Sequence, residues 1–423
     1  MRIRFSNAKI LTMNSDNKEI IEGELWVNDS IIEYVGESKT VADPFDQEID
    51  VGGNLLMPGF KNAHSHCPMT FARSLADDMV LSEWLNTKIF PLEAKLKPEN
   101  VYVFSKLAYM EYLTSGITAA FDMYYEPDAI IQASIESGFR TVLSGAINNF
   151  KESPELLEEY YQKYNQINDI ISYQLGFHAE YTTSLEIMEK VAKLAEKYQA
   201  PVYVHNSETE DEVGACIQRY GKTPTKLFVD LGLYRYGGGA FHGTYLNEED
   251  MDLLKENKVH VVINSASNMK LASGIAPVAK MIDRGLKLAL GTDGASSNNA
   301  LDMFREMYLT TVLQKGMQKD PTACPAGKML HMATVGAAKA MGLDDCDCLE
   351  AGKKADIIMI DLKQPNMQPI NNIVNNLVYS GSKQNVKMTM IDGKILYEDG
   401  KFYTINKDEI YEQANKMLCT LIG

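Results

Sequence analysis

The sequence predicts an α/β fold: a (β/α)8 barrel of the TIM type, with a small β-sandwich built jointly from both chain ends. Three observations point there. Eight short apolar runs alternate with helix-like stretches through the middle of the chain, and eight βα units in about 300 residues match the size of such a barrel. Both ends instead alternate apolar and polar positions between turn residues, the mark of half-buried strands. Five of the seven histidines fall at the C-terminal ends of the middle runs, which is the face where barrels of this kind carry their chemistry.

Taken in order, the N-terminal strands are read in MRIRFSNAKIL, GELWVNDSIIEYVG and EIDVGGNLLMPGF. The first barrel strand lies in NLLMPGFKNAHSH at 54–66, followed by GITAAFDM at 116–123, FRTVLSGAI at 139–147 and SYQLGFHAE at 172–180. The remaining four are PVYVHNSE at 201–208, GGAFHGTY at 238–245, HVVINSASN at 260–268 and KLALGTDG at 287–294. Helices are read between them in ENVYVFSKLAYMEYLTSG, SLEIMEKVAKLAEKYQ and PVAKMIDRG, each closed by Gly or a polar break. The far end returns to strands in ADIIMIDL and VKMTMIDGKILYEDGKFY, with Asp392-Gly393 and Asp399-Gly400 as hairpin turns. The expected division is therefore 1–57 with 354–423 as the β unit and 58–353 as the barrel. An open doubly wound sheet is the alternative, but no GxGxxG follows an early strand.

Composition narrows the function. Hydrophobic residues at 45% and charged residues at 23% are ordinary for a globular chain and exclude disorder. A net charge of -16 repels phosphate backbones and anionic lipid, so neither nucleic acid nor membrane is expected as a partner. No apolar run approaches the roughly 18 residues of a spanning helix, and polar residues interrupt the N-terminus before a signal-peptide core could form. Six cysteines without a CxxC pair read as reduced thiols, hence a cytoplasmic protein.

His64 and His66 share one face of an extended segment, since strand residues two apart point the same way. His205 ends the fifth strand and Asp293 the eighth. Imidazoles plus one carboxylate at one barrel mouth suit a divalent transition ion, zinc first and iron as the alternative, with a position left for water. The bland alternative is a ring of polar caps without metal. Glu208, three residues beyond His205, is a proton-transfer candidate, although the run Glu210, Asp211, Glu212 beside it reads as containing solvated acids. His242 ends strand six and suits general-base or orienting work; His178 ends strand four. His260 opens strand seven at the opposite face and His331 sits in a helical run, so both read as structural. There is no GxSxG elbow for a serine nucleophile and no PCxxC for the other zinc-deaminase design.

The succession PGFKNAHSH, VHNSE, FHGTY, LGTDGASSNN resembles the amidohydrolase superfamily over nearly the whole chain. Within it the chain is similar to the adenosylhomocysteine/methylthioadenosine deaminase group, related to the triazine chlorohydrolases. That likeness rests on LSEWLNTKIFPLEAKL with Trp84 and Glu93, LGFHAEYTTS around His178, and SGIAPVAKMIDRG. It implies His64, His66, His205 and Asp293 as ligands of one divalent metal, with His178 standing where binuclear members carry a carboxylated lysine. It implies Glu208 and His242, with Asp293, as the proton-handling groups. It further implies a nucleoside pocket lined by Trp84, Glu93 toward the ribose hydroxyls, His178 toward the purine edge, and Ser297. The activity implied is hydrolytic deamination of a 6-aminopurine nucleoside: methylthioadenosine, adenosylhomocysteine, 5′-deoxyadenosine or adenosine. Deamination or dechlorination of another ring (guanine, 8-oxoguanine, a pterin, a triazine) is the alternative, and a non-catalytic scaffold a remote one. Assembly into a homo-oligomer is left open. One departure stands out: no arginine occurs between Thr141 and Gln218, where the group draws the cations that hold a homocysteine tail, and Lys151 is the first cation there.

Overall fold

The computed structural model of the chain describes residues 1–14, 19–41, 43–75 and 77–422. Eight parallel strands form the barrel in sequential order: β1 (Phe60–Ser65), β2 (Ile117–Met123), β3 (Arg140–Ser144), β4 (Ile171–Ala179), β5 (Val202–Asn206), β6 (Gly238–His242), β7 (His260–Ile263) and β8 (Lys287–Leu290). Each lies within or against the apolar run that predicts it. The ring closes between β8 and β1 through a small set of bonds rather than a full ladder: Asp293 N donates to His64 O at 2.9 Å, and Thr292 N donates to Asn62 Oδ1 at 2.8 Å. Gly291 makes this approach possible, since a Cβ there would stand 2.8 Å from His64 N and 2.9 Å from its Cβ.

Inside the barrel, Ala63, Phe121, Val142, Tyr203, Phe241, Val262 and Ala289 fill the lumen. Helix Val335–Ala340 plugs the N-terminal end, where Tyr203 Oη donates to Ala340 O at 2.9 Å. The outer helices follow ordinary amphipathic logic. In Leu185–Tyr198 the Ser184 hydroxyl accepts from Ile187 N, Met188, Val191, Leu194 and Ala195 face inward, and Gln199 in the left-handed region ends the helix.

The chain ends meet in one nine-stranded mixed sheet that wraps a core of its own, including Phe5, Ile10, Leu25, Leu56, Ile357 and Met390. Its junction is strand Leu55–Pro58, parallel to Arg2–Ile10 on one side and antiparallel to Ile357–Ile360 on the other. Asp392-Gly393 and Asp399-Gly400 are the expected hairpin turns, with positive φ at all four residues. Helix Lys407–Ile422 is not anticipated by the strand-like reading of the C-terminal region. A buried charge cluster joins sheet to barrel. Asp356 accepts from Arg140 Nε at 2.9 Å and Nη2 at 3.0 Å, and Lys61 Nζ lies 3.7 Å away. No helix among the described residues is long and apolar enough to cross a membrane.

Candidate active site

The C-terminal ends of the strands converge on an open cavity of about 640 Å³ whose lining includes His66, His178, His205, Glu208, His242 and Asp293. Two of these residues, His242 at φ +74° and Asp293 at φ +61°, hold left-handed backbone that costs an L-residue about 1–3 kcal/mol.

The imidazoles are oriented by what their far nitrogens touch. His66 Nδ1 donates to Met123 O, His205 Nδ1 to His178 O and His242 Nδ1 to Asn268 Oδ1, each at 2.7 Å. A donating Nδ1 leaves each Nε2 as a bare lone pair when the ring is neutral, the tautomer that a carbonyl behind the ring imposes on metal-binding histidines. His64 lies fully buried beneath them, and neither of its ring nitrogens makes a hydrogen bond. Such an orphaned pair of polar atoms is costly unless something else fills the gap. His64, His66 and Asp293 form one group, and His64, His205 and His242 another, with ligand atoms within 4.8 Å of one another in each. This donor set fits one divalent transition ion.

Asp293 is held firmly. Its Oδ1 accepts from Gly294 N at 2.8 Å and faces His66 Nε2 at 3.2 Å, and its Oδ2 accepts from Ser267 Oγ at 2.5 Å and Ser297 Oγ at 2.9 Å. Burial would raise its carboxyl, but the His64 and His66 imidazoles, 3.5 and 3.2 Å from Oδ1, hold it well below the usual range. Burial pulls His64 down to about 3 and His178 to about 4. His66 moves the other way: burial lowers it, yet contact with Asp293 lifts it to about 9.

Glu208 projects into the cavity with Oε2 3.9 Å from His242 Nε2, and burial raises its carboxyl above the ordinary value. Across the cavity, Leu81–Trp84, Leu85–Ile89 and Phe90–Glu93 run as one helical stretch with a widened turn in its middle, bringing Trp84, Leu85, Ile89, Phe90 and Glu93 to the wall. Widened turns of this sort recur at functional sites. Glu93 is buried and its carboxyl is raised by desolvation. His178 Nδ1 sits 2.8 Å from the Thr182 hydroxyl. Ser297 lines the cavity, but its hydroxyl is committed to Asp293.

The structure thus brings the sequence-named residues to one mouth and leaves His260 at the opposite end of β7 and His331 in helix Ala326–Ala333. Sequence reading misses Tyr124 and Tyr125, directly after β2, and the supporting residues Ser267 and Asn268. Of the three acids after Glu208, Glu210 and Asp211 are exposed, as a run containing solvated acids implies, and Glu212 is buried.

Comparison with known proteins gives the chain a family and close structural relatives. The amidohydrolase family model matches residues 55–396. A 5-methylthioadenosine/S-adenosylhomocysteine deaminase of Syntrophomonas wolfei is 40% identical over 430 residues, covering all of both chains. A 5′-deoxyadenosine deaminase of Methanosarcina acetivorans is 38% identical over 97% of this chain and 96% of its own. The crystal structure of an adenosine deaminase from Xanthomonas campestris with bound zinc superposes with a TM-score of 0.94 at 30% identity, covering 99% of this chain and 98% of that one.

Proposed function

The chain belongs to the amidohydrolase family, and from that premise we propose that it hydrolytically deaminates a 6-aminopurine nucleoside, giving the 6-oxo product and ammonia. The observation that carries the substrate class is the buried carboxylate of Glu93 in the wall of the same cavity that holds the histidine–aspartate cluster. A buried acid facing an open cavity is stabilised by hydrogen-bond donors, and the vicinal ribose 2′- and 3′-hydroxyls would supply two to the Glu93 carboxylate beside the Tyr124 hydroxyl.

We take His64, His66, His205 and Asp293 as the ligands of one ion, zinc first and iron second, with His178 rather than another anionic ligand at the end of β4. Such an ion would acidify a bound water so that hydroxide is available near neutral pH. The protein's own groups do the rest. Trp84 and His178 flank the purine, and Glu93 holds the ribose. Water adds to C6 while His242 Nε2 and Asp293 accept and orient its proton. Glu208, its carboxyl raised by burial, delivers a proton to the ring nitrogen and assists departure of the amino group as ammonia. Asp293→Asn should lose metal and turnover together, because one side chain serves both tasks.

We further propose a preference for small neutral 5′ groups. Arg140 and Arg219, which bracket the arginine-free span, are paired with Asp356 and Glu180, and Lys151 Nζ stands 4.3 Å over the Tyr125 ring. Residues 58–353 act as the catalytic unit, with 1–57 and 354–423 as its β companion. Six free cysteines, five of them buried, suit the cytoplasm. Ammonia release across methylthioadenosine, 5′-deoxyadenosine, adenosine, adenosylhomocysteine, adenine, guanine, 8-oxoguanine, a pterin and a triazine tests the reading. Nucleosides should lead; faster turnover of a free base or a triazine would overturn it.

A further inference from the structure

The turn that presents Glu208 is short and unusual. Between the end of β5 at Asn206 and helix Glu210–Tyr220 lie three residues, of which Ser207 has φ +54°. Thr209 caps the helix, its hydroxyl accepting from Glu212 N at 3.1 Å. In an ordinary capping box the side chain of the third helical residue reaches back to the backbone N–H of the cap residue itself. Here the Glu212 carboxylate reaches further back. Its Oε1 accepts from Ser207 N at 2.9 Å and its Oε2 from Glu208 N at 2.7 Å. Glu212 is buried, so both oxygens are satisfied by the one turn that carries the proposed proton donor. On the other side Ser207 O accepts from Tyr245 N at 2.9 Å, which ties the same turn to the segment after β6, just beyond His242.

We infer that Glu212 is a positioning residue: by gripping the backbone N–H groups of Ser207 and Glu208 it fixes the Glu208 carboxyl against His242 and the cavity. This rests on the deaminase reading above, in which Glu208 moves the proton. An ordinary capping acid would only hold the helix. This one holds the peptide on which proton transfer depends, and a misplacement of about 1 Å at such a group can cost roughly a hundredfold in rate.

The test is a double-mutant cycle on the metal-loaded enzyme. Glu212→Gln replaces one acceptor oxygen with an NH₂ that opposes a backbone N–H. In the presence of Glu208 it should lower kcat roughly 10- to 100-fold, with KM changed less than about twofold and metal content unchanged. In a Glu208→Gln background the same substitution should change the residual kcat by less than about threefold, because the group it positions no longer transfers a proton. Equal losses in both backgrounds, or a normal kcat for Glu212→Gln, would overturn the assignment. Should Glu212→Gln fail to fold, Thr209→Ala loosens the same grip while leaving the carboxylate. It should show a several-fold loss that also vanishes without Glu208, and an equal loss in both backgrounds would again overturn the role. Wild-type enzyme releasing no ammonia from any 6-aminopurine nucleoside would instead bring down the deaminase reading, and this assignment with it.

Discussion

Glu208 and Glu93 are both buried carboxyls raised by desolvation, yet they face opposite walls and should fail in different ways. Glu208→Gln keeps the size of the side chain and leaves the histidine–aspartate cluster intact, so metal content should hold while kcat falls at least about a hundredfold, within the 10²–10⁴ range of general acid–base groups. Metal analysis beside steady-state kinetics checks this, and near-normal turnover would reduce Glu208 to a passive acid. Glu93→Ala should weaken nucleosides by about 1.5–3 kcal/mol, as for hydrogen bonds to a charged group, and a 2′,3′-dideoxy substrate should lose a similar amount with the native protein. Comparing kcat/KM for methylthioadenosine and adenosylhomocysteine decides the 5′ preference; a tenfold advantage for the latter would signal an unseen cation worth about 1.4 kcal/mol. The histidines, Glu208 and Asp293 were legible as candidates because each ends a strand or follows one, and strand ends could be read from hydrophobic runs; Trp84 and Glu93, on a helical stretch, came only from the family resemblance. The residues that orient them were not. Asn268 is 26 positions from His242 and Ser267 is 26 from Asp293, so each support comes from a neighbouring βα repeat and has no local pattern. Glu212 did carry a local sign that the sequence reading passed over: Thr209-Glu210-Asp211-Glu212 has the T-x-x-E form of a capping box.

The connecting elements carry the geometry from one repeat to the next. Glu306, on helix Met303–Gln318, accepts from Ala266 N at 3.2 Å after β7 and from Asn298 Nδ2 at 2.8 Å after β8. These are the turns that supply Ser267, Asn268 and Ser297. Burial pushes the Glu306 carboxyl from an ordinary 4.5 to about 8. The folded chain therefore binds a proton that the unfolded chain releases between those values, and this contribution to stability is full below pH 4.5 and is lost as pH rises through 8. Glu306→Gln removes the titration, so native stability should fall more steeply than the variant's across that window. Urea unfolding midpoints for both proteins at several pH values check it, and parallel curves would refute it. At this scale the sequence reading holds well for the barrel, because buried parallel strands are continuous apolar runs with sharp ends. It is weakest at Lys407–Ile422, where a helix follows two hairpins whose turn residues dominate the local pattern.

For the molecule as a whole, the decisive joint is the buried charge cluster under the barrel. Burial alone would raise Asp356, but Arg140 and Lys61 hold it down to about 2. Its contribution to stability is thus present above the ordinary 3.8 and is lost as pH falls through 2. Asp356→Leu leaves Lys61 buried without its anion and Arg140 with only Asp392 at 3.7 Å, a change that costs about 3–5 kcal/mol. The denaturation midpoint should drop accordingly, with deamination retained at low temperature since the cluster lies at the barrel end opposite the cavity; an unchanged midpoint would show the cluster to be neutral. That the two chain ends share one sheet was legible from their common alternation, whereas their pairing was not, because strands with similar patterns can be matched in several orders. The pairing has a consequence in time. Strand Leu55–Pro58 is bordered on one side by Ile357–Ile360, so on a ribosome it emerges about 300 residues ahead of its neighbour. At roughly 5–20 residues per second that delay lasts roughly 15–60 s. Throughout it Leu55, Leu56 and Met57, all buried in the finished molecule, form an open apolar edge, the kind of edge that recruits other chains. A nascent chain stalled within the barrel should therefore be the species most prone to aggregate, and the one most in need of a chaperone.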